Sequence, residues 1–400
     1  MAVSSAGRRF LIFALACGGF GIGVSEYLVM GLLPQIAADL LPELSRSDPD
    51  AALAATGGLA SAYALGVVVG MFTTPILTRR LSERGALLVC AGGMLLFTLL
   101  TAFAPNLTIA IALRFLSALA HASYLGVGAM AVAHLLGGGK YGRGAAVVHG
   151  GLAAANLVGV PVLTALGAGG EWRLILGGIV TLFFAVPFVA LLLVKLPDEP
   201  AAAATQLGGA VRKRRLLLLI SAAVLAAASS FVIVTYIAPV VTAARSGDVW
   251  LTTGLAMFAF GIGMNLGNLG SGWLADRAPS VAFSGVALAG ASGAALLLVP
   301  DAGAVIAVIA VLLLGVCLGG ASPSGQVLYM RELRKYPRLA SSLPSGAGNL
   351  GSFLGALVGG AILAGSGVAL LPVGALALMA VGMVCFVAYR VLGRARPETP

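Results

Sequence analysis

The sequence predicts an all-α membrane protein of twelve spanning helices in two pseudo-symmetric six-helix bundles. Three observations carry this. Of the 400 residues, 60% are hydrophobic and only 10% charged, with a mean hydropathy of +1.04. That is more apolar surface than a water-soluble domain of this size hides, so lipid is its main solvent. Apolar stretches near or above the roughly 20 residues needed to cross a bilayer recur twelve times. The basic residues between them fall alternately on one side.

The twelve stretches are 10–33, 51–77, 86–104, 107–136, 145–168, 174–194, 216–243, 250–274, 281–299, 303–328, 340–364 and 368–391. Each is continuous rather than a short alternating segment, which points to helices and not to a barrel. Arg8 and Arg9 before the first stretch imitate the start of a signal peptide. The stretch is longer than such a peptide's apolar region and has no small-residue cleavage site, so it is read as helix 1. Glycine, with 56 copies, is common where membrane helices pack closely. Cys17, Cys90, Cys317 and Cys385 all lie inside apolar stretches and read as small hydrophobes, not as disulfide or metal ligands.

Twenty of the 24 basic residues lie on one set of loops and ends: Arg8, Arg9; Arg79, Arg80, Arg84; Lys140, Arg143; Lys195 and the run 212–215; Arg277; Arg331, Arg334, Lys335, Arg338; and Arg390, Arg394, Arg396. The opposite loops hold Arg46, Arg173 and Arg245, and Arg114 lies within helix 4. This bias predicts cytoplasmic termini. It also explains the net charge of +10 without nucleic acid. "KLPDEPAAAATQLGGAVRKRR" is the one long basic linker, and it divides the chain into an N-terminal bundle (1–194), a linker (195–215) and a C-terminal bundle (216–400).

The halves echo each other. Pro34 and Pro239 stand near the ends of helices 1 and 7. Gly66 and Gly70 precede Arg79 and Arg80, and Gly263 and Gly267 precede Asp276 and Arg277 at the same spacing. "ANLVG" around Asn156 matches "GNLGS" around Asn349, with Gly167 and Gly360 equally far downstream. A parallel repeat of six-helix halves is expected of a transporter with its site between them.

On "SEYLVMGLLPQIAADL", "RFLSALAHASYLGVGAMAVA", "GRGAAVVHGGLAAANLVGVPVLTALG", "EWR" and "ASSLPSGAGNLGSFLGALVGG" the chain resembles the major facilitator superfamily. Within it, the chain is similar to twelve-span drug:proton antiporters of the arabinose-efflux-permease-like and chloramphenicol-exporter branch. The resemblance covers nearly the whole chain and does not specify a substrate. It implies a conformational latch in loops 2–3 and 8–9, which falls here on Arg79, Arg80, Asp276 and Arg277. "GWLADR" at 272–277 keeps the family's G-x-L-A-D-R pattern. "PILTRRLSERG" puts Arg79 where the family has its acid, which leaves Asp276 as the latch acid. Val160 likewise splits the family's helix 5 Gly-Pro pair.

Glu26 is the one acid deep inside a span. Ionised at a helix centre, an acid is disfavoured by about 2.5–3.5 kcal/mol on insertion scales, so it belongs in a cavity or beside a partner. Such a group can take a proton and release it, which fits proton coupling; a structural pair would leave the same trace. Arg114 lies about 10 Å and Glu26 about 12 Å from the outer ends of their helices, so an ion pair between them is expected. It would be either switched or static. His121 follows Arg114 by two turns on one face and can titrate with the proton cycle or sit neutral. His134 and His149, near cytoplasmic span ends, read as interfacial. Asn156 and Asn349 contact substrate or lock helices together. Tyr27, Tyr63, Tyr124, Tyr236 and Phe231 are candidate cavity walls, each of which also serves as packing. Aligned on the prolines, Phe231 is the second-half equivalent of Glu26.

"LLGGGKYGRG" lacks the order of a nucleotide-binding loop, and neither zinc spacing nor a nucleophile elbow occurs. No cofactor, metal or enzymatic activity is expected. The expected partners are a small-molecule substrate, protons and the bilayer, with the protein a monomer in the cell (plasma or inner) membrane. Proton-coupled export of a small amphipathic compound is the leading expectation. Sugar or metabolite efflux and a transporter-like receptor that does not transport are the alternatives.

Overall fold

The structure, a computed structural model, describes residues 5–78, 80–137, 141–194, 196, 214–244, 250–300, 303–333 and 337–394. Long helices dominate: α1 (Ser5–Gly31), α2 (Pro49–Thr78), α3 (Glu83–Ala102), α4 (Leu107–Leu135), α5 (Arg143–Gly169), α6 (Trp172–Leu193), α7 (Arg214–Val234), α8 (Thr253–Ala275), α9 (Pro279–Leu296), α10 (Gly303–Glu332), α11 (Leu343–Ser366) and α12 (Val368–Leu392). Among the described residues, eleven of these are long and apolar enough to cross a membrane. The other, α8, is unbroken over 23 residues, about 34 Å at 1.5 Å per residue. Its repeated Gly with Asn265, Asn268 and Ser271 makes it less apolar. Most of the expected linker 195–215, and Arg79, lie outside the described residues.

Local chemistry sets the helix ends. Ser82 accepts from Gly85 N–H at the start of α3, Asn106 from Ile109 N–H at α4, and Thr252 from Leu255 N–H at α8. Each satisfies a donor that the first turn leaves unpaired. Pro161 removes an N–H within α5, and its ring crowds the carbonyl four residues back. The turn just before it, Ala155–Gly159, widens to a π-helix, and Asn156 sits in that turn. Gly170 takes φ +105 between α5 and α6, a conformation that L side chains rarely adopt.

The chain forms two compact units. One comprises 1–48 with 58–204, the other 49–57 with 205–400. Each is built around a glycine seam. In the first unit, a Cβ on Gly66 or Gly70 of α2 would overlap the Phe115 or Leu119 carbonyl of α4. In the second, a Cβ on Gly263 or Gly267 of α8 would overlap the Leu312 or Val316 carbonyl of α10. In all four cases the opposed carbonyl lies 49 residues downstream. Lipid tails are as apolar as leucine, so close backbone approach, not burial, is what joins such helices. The repeat seen in the sequence is thus a repeat of packing.

The outward faces are apolar. Leu77, Phe103, Leu193 and Leu269 are each more than 70% exposed, as suits side chains facing hydrocarbon. Cys90 and Cys317 are buried, Cys17 and Cys385 partly so, and all four are free thiols.

Candidate functional site

The chemistry of the first unit gathers on α1, α2 and α4. Arg114 is fully buried. Its two terminal nitrogens both donate to Ser25, one to Oγ (2.8 Å) and one to the backbone carbonyl (2.7 Å). The guanidinium carbon lies 4.2 Å above the Tyr63 ring. A fork of donors on one side and an aromatic face on the other is the environment that keeps a guanidinium charged away from water. The Arg114 Nε is buried with no hydrogen-bond partner among the described residues. Ser117 Oγ donates to the Arg114 carbonyl at 2.8 Å.

Glu26 is the residue next to Ser25 on α1, partly exposed while Ser25 and Tyr27 are buried. It lies within electrostatic reach of Arg114. Among the described residues it forms no hydrogen bond or ion pair, so the arginine engages the serine and leaves the carboxylate open. The Tyr63 hydroxyl shares a hydrogen bond with His121 Nδ1 at 3.3 Å, and the two rings are 5.8 Å apart. His121 is buried. Guanidinium, phenol and imidazole thus form one connected group, with the Glu26 carboxylate beside it but not bonded to it.

The other sequence-predicted residues lie elsewhere. Tyr124 is fully buried; its hydroxyl donates to the Leu15 carbonyl (3.2 Å), and its ring lies against Gly18. Asn156 is buried, and its Oδ1 meets no partner among the described residues. In the second unit Asn349 donates through Nδ2 to the Ser345 carbonyl (3.0 Å), while its Oδ1 is likewise unmatched. Tyr236 is fully buried and donates to the Ala356 carbonyl (2.9 Å). Phe231 is buried against Gly355. At the ends, Arg80 and Asp276 are exposed. Arg277 donates to the Trp273 carbonyl (3.2 Å) and lies over that residue's ring.

Three groupings carry little signal in the sequence. Ser25, the arginine's acceptor, is marked only by its place beside Glu26. Glu83, buried at the start of α3, pairs with His134 at 3.1 Å. Asp39 accepts from Trp172 Nε1 (3.0 Å) and Arg173 Nε (2.7 Å), and Arg173 also donates to the Ala102 and Ala104 carbonyls. The "WR" pair thereby ties the C-terminal end of α3 and the N-terminal end of α6 to the segment after α1.

Helical spans in two glycine-seamed units, with a polar group inside one of them, define a multi-pass membrane transporter fold. The description of the Major Facilitator Superfamily matches residues 15–338, and the chain belongs to that family. It is 32% identical over 409 residues to the inner membrane transport protein YdhP of Escherichia coli (strain K12), covering 98% of each chain. It is 31% identical over 278 residues to a chloramphenicol resistance protein of Streptomyces lividans, covering 67% of each. The solved nucleoside transporter NupG shares the fold, with a TM-score of 0.71 at 16% identity, over 96% of this chain and all of that one.

Proposed function

We propose that this transporter exports small amphipathic compounds in exchange for protons, by alternating access, with Glu26 as the proton carrier. One observation carries the reading: a partly exposed carboxylate stands within reach of a buried arginine whose terminal donors are held by the neighbouring serine. With Glu26 protonated, Arg114 rests on Ser25 and Tyr63. When Glu26 gives up its proton, its charge competes with Ser25 for the guanidinium, and a cationic or polar cargo group competes with the guanidinium for Glu26. Proton and cargo are then alternative partners of one carboxylate, which is the requirement for exchange. Aligned on the prolines, the second unit has Phe231 where the first has Glu26, so the carboxylate is not duplicated.

The relatives support the cargo class, one being named for chloramphenicol resistance and another as an inner membrane transport protein. By the basic-loop bias the protein sits in the cell (plasma or inner) membrane with both termini cytoplasmic. The unmatched amide oxygens of Asn156 and Asn349 favour a second cargo class, a hydroxyl-bearing metabolite, as an alternative to a drug.

The test is substrate-triggered proton release from purified protein, comparing wild type with Glu26→Gln. The panel holds cationic, neutral and hydroxyl-rich compounds, chloramphenicol among them. Release that is present in the wild type and lost in the variant is expected. Equal release from both proteins would remove Glu26 from the coupling.

A further inference from the structure

Adjacent arginines at the start of α7 have different surroundings. Arg215 is engaged: its Nη2 pairs with Glu332 Oε1 at 3.1 Å, and its guanidinium lies 4.8 Å from the Tyr389 ring centre. The Tyr389 hydroxyl donates to the same Glu332 oxygen at 3.0 Å. This triad closes the contact of α7 with α10 and α12. Arg214 is exposed and takes part in none of these contacts. It stands instead at the end of an open groove of about 590 Å³ between α7 and α12, whose walls include Leu218, Ala380, Val387, Ala388 and Leu392. Among the described residues, Arg214 is the groove's one charged wall residue. Arg390 is exposed on α12, next to the wall residue Val391 and to Tyr389, which Arg215 meets, and so stands at the same end of the groove as Arg214.

Three features identify an occupant. The walls are membrane-spanning helices, so hydrocarbon rather than water meets them. From Ala380 to Leu392 the groove runs about 18 Å along the helix, close to the ~15 Å depth of one leaflet of a ~30 Å hydrocarbon core. Its charged end lies on the side that carries nearly all the basic loops, where anionic headgroups concentrate. Guanidinium groups bind phosphate through paired donors. We propose that this groove is a binding site for an anionic phospholipid, with one acyl chain lying along α12 and its phosphate held by Arg214 and Arg390.

The experiment is native mass spectrometry of the full chain in detergent, titrated separately with dioleoylphosphatidylglycerol and dioleoylphosphatidylcholine. It reads binding without transport, so its result is independent of the proton-exchange reading. The expected result is preferential phosphatidylglycerol binding in the wild type. That preference should weaken about tenfold or more in Arg214→Ala/Arg390→Ala, since each arginine near the headgroups contributes measurably. Ala388→Trp, which fills the groove, should weaken binding of both lipids. Arg80→Ala and Leu288→Trp, which change exposed residues elsewhere, should bind as wild type does. The paired arginines are on the surface, so their variant reports on the site even if the tryptophan variant misfolds. Equal binding of the two lipids by the wild type would overturn the proposal. So would unaltered binding in the double arginine variant, or an equal loss in the Arg80 control.

Discussion

The two units share a seam but not a chemistry. The glycine pairs Gly66/Gly70 and Gly263/Gly267 lie 197 residues apart, and so do the carbonyls they meet. Carried across at that spacing, Tyr63 corresponds to Phe260, Arg114 to Val311 and His121 to Leu318. Aligned on Pro34 and Pro239, Ser25 corresponds to Ser230 and Glu26 to Phe231. The phenol, guanidinium, imidazole and carboxylate of the first unit are therefore replaced one for one by apolar side chains, and only the serine is kept. Ser25 accepts from Arg114; Ser230, equally buried, has Val311 at the arginine's place. The duplicated architecture demands the seam, which recurs. It does not demand the charge, which does not recur. A feature present in one copy of a repeat and absent from the other is the better candidate for function.

The largest effect is expected where the copies agree. Gly70→Val and Gly267→Val each drive a side chain into a backbone carbonyl that cannot swing aside as a flexible side chain can. The destabilisation should reach or exceed the upper end of the about 1–3 kcal/mol typical of overpacking. Thermal unfolding in detergent should show both variants strongly lowered or not recoverable as folded protein. A normal melting temperature for one of them would mean that its seam opens more readily than its twin.

Where the copies differ, function should respond more than stability. Arg114→Lys keeps the charge but gives up the fork that reaches Ser25 Oγ and carbonyl together. Hydrogen bonds from a charged donor contribute about 1.5–3 kcal/mol, so transport should fall by about ten- to a hundredfold. The folded yield should be near that of the wild type. Full activity in the lysine variant would show that a point charge suffices and that the geometry on Ser25 is incidental.

The division between readable and unreadable features follows the range of the interaction. Span positions are set by solvent along the chain, and Glu26 and Arg114 are conspicuous because charge is rare there, so all of these show in the sequence. The arginine's choice of Ser25 and Tyr63 depends on side-chain direction between helices, which spacing along one helix does not encode. Depth alone pairs Glu26 with Arg114, whereas the guanidinium lies on the serine beside it. Glu83 and His134 meet across 51 residues, and an acid at a span end looks the same in sequence whether solvated or paired. Tyr124 shows the limit from the other side. An aromatic residue in a transporter span suggests a cavity wall, yet its partner is Gly18, whose missing side chain makes room for the ring. The grouping of residues 49–57 with the second unit also has no compositional mark, since they run on into α2.

The smallest expected effect sharpens the comparison most. Tyr63→Phe gives the first unit the residue that Phe260 supplies in the second. The ring under Arg114 stays, and the hydroxyl's 3.3 Å bond to His121 is lost. One hydrogen bond of this kind contributes about 0.5–1.5 kcal/mol net, and a unit of this size loses roughly 2–4 °C of melting temperature per kcal/mol. The melting temperature should fall by a few degrees while transport persists, because the ring and not the hydroxyl faces the cation. His121→Leu, which copies Leu318, should have an effect of similar size. The double variant should cost less than the sum of the two, since both single changes remove the same bond. Strict additivity would mean that phenol and imidazole act separately. A collapse of transport in Tyr63→Phe alone would place the hydroxyl in the proton path with Glu26.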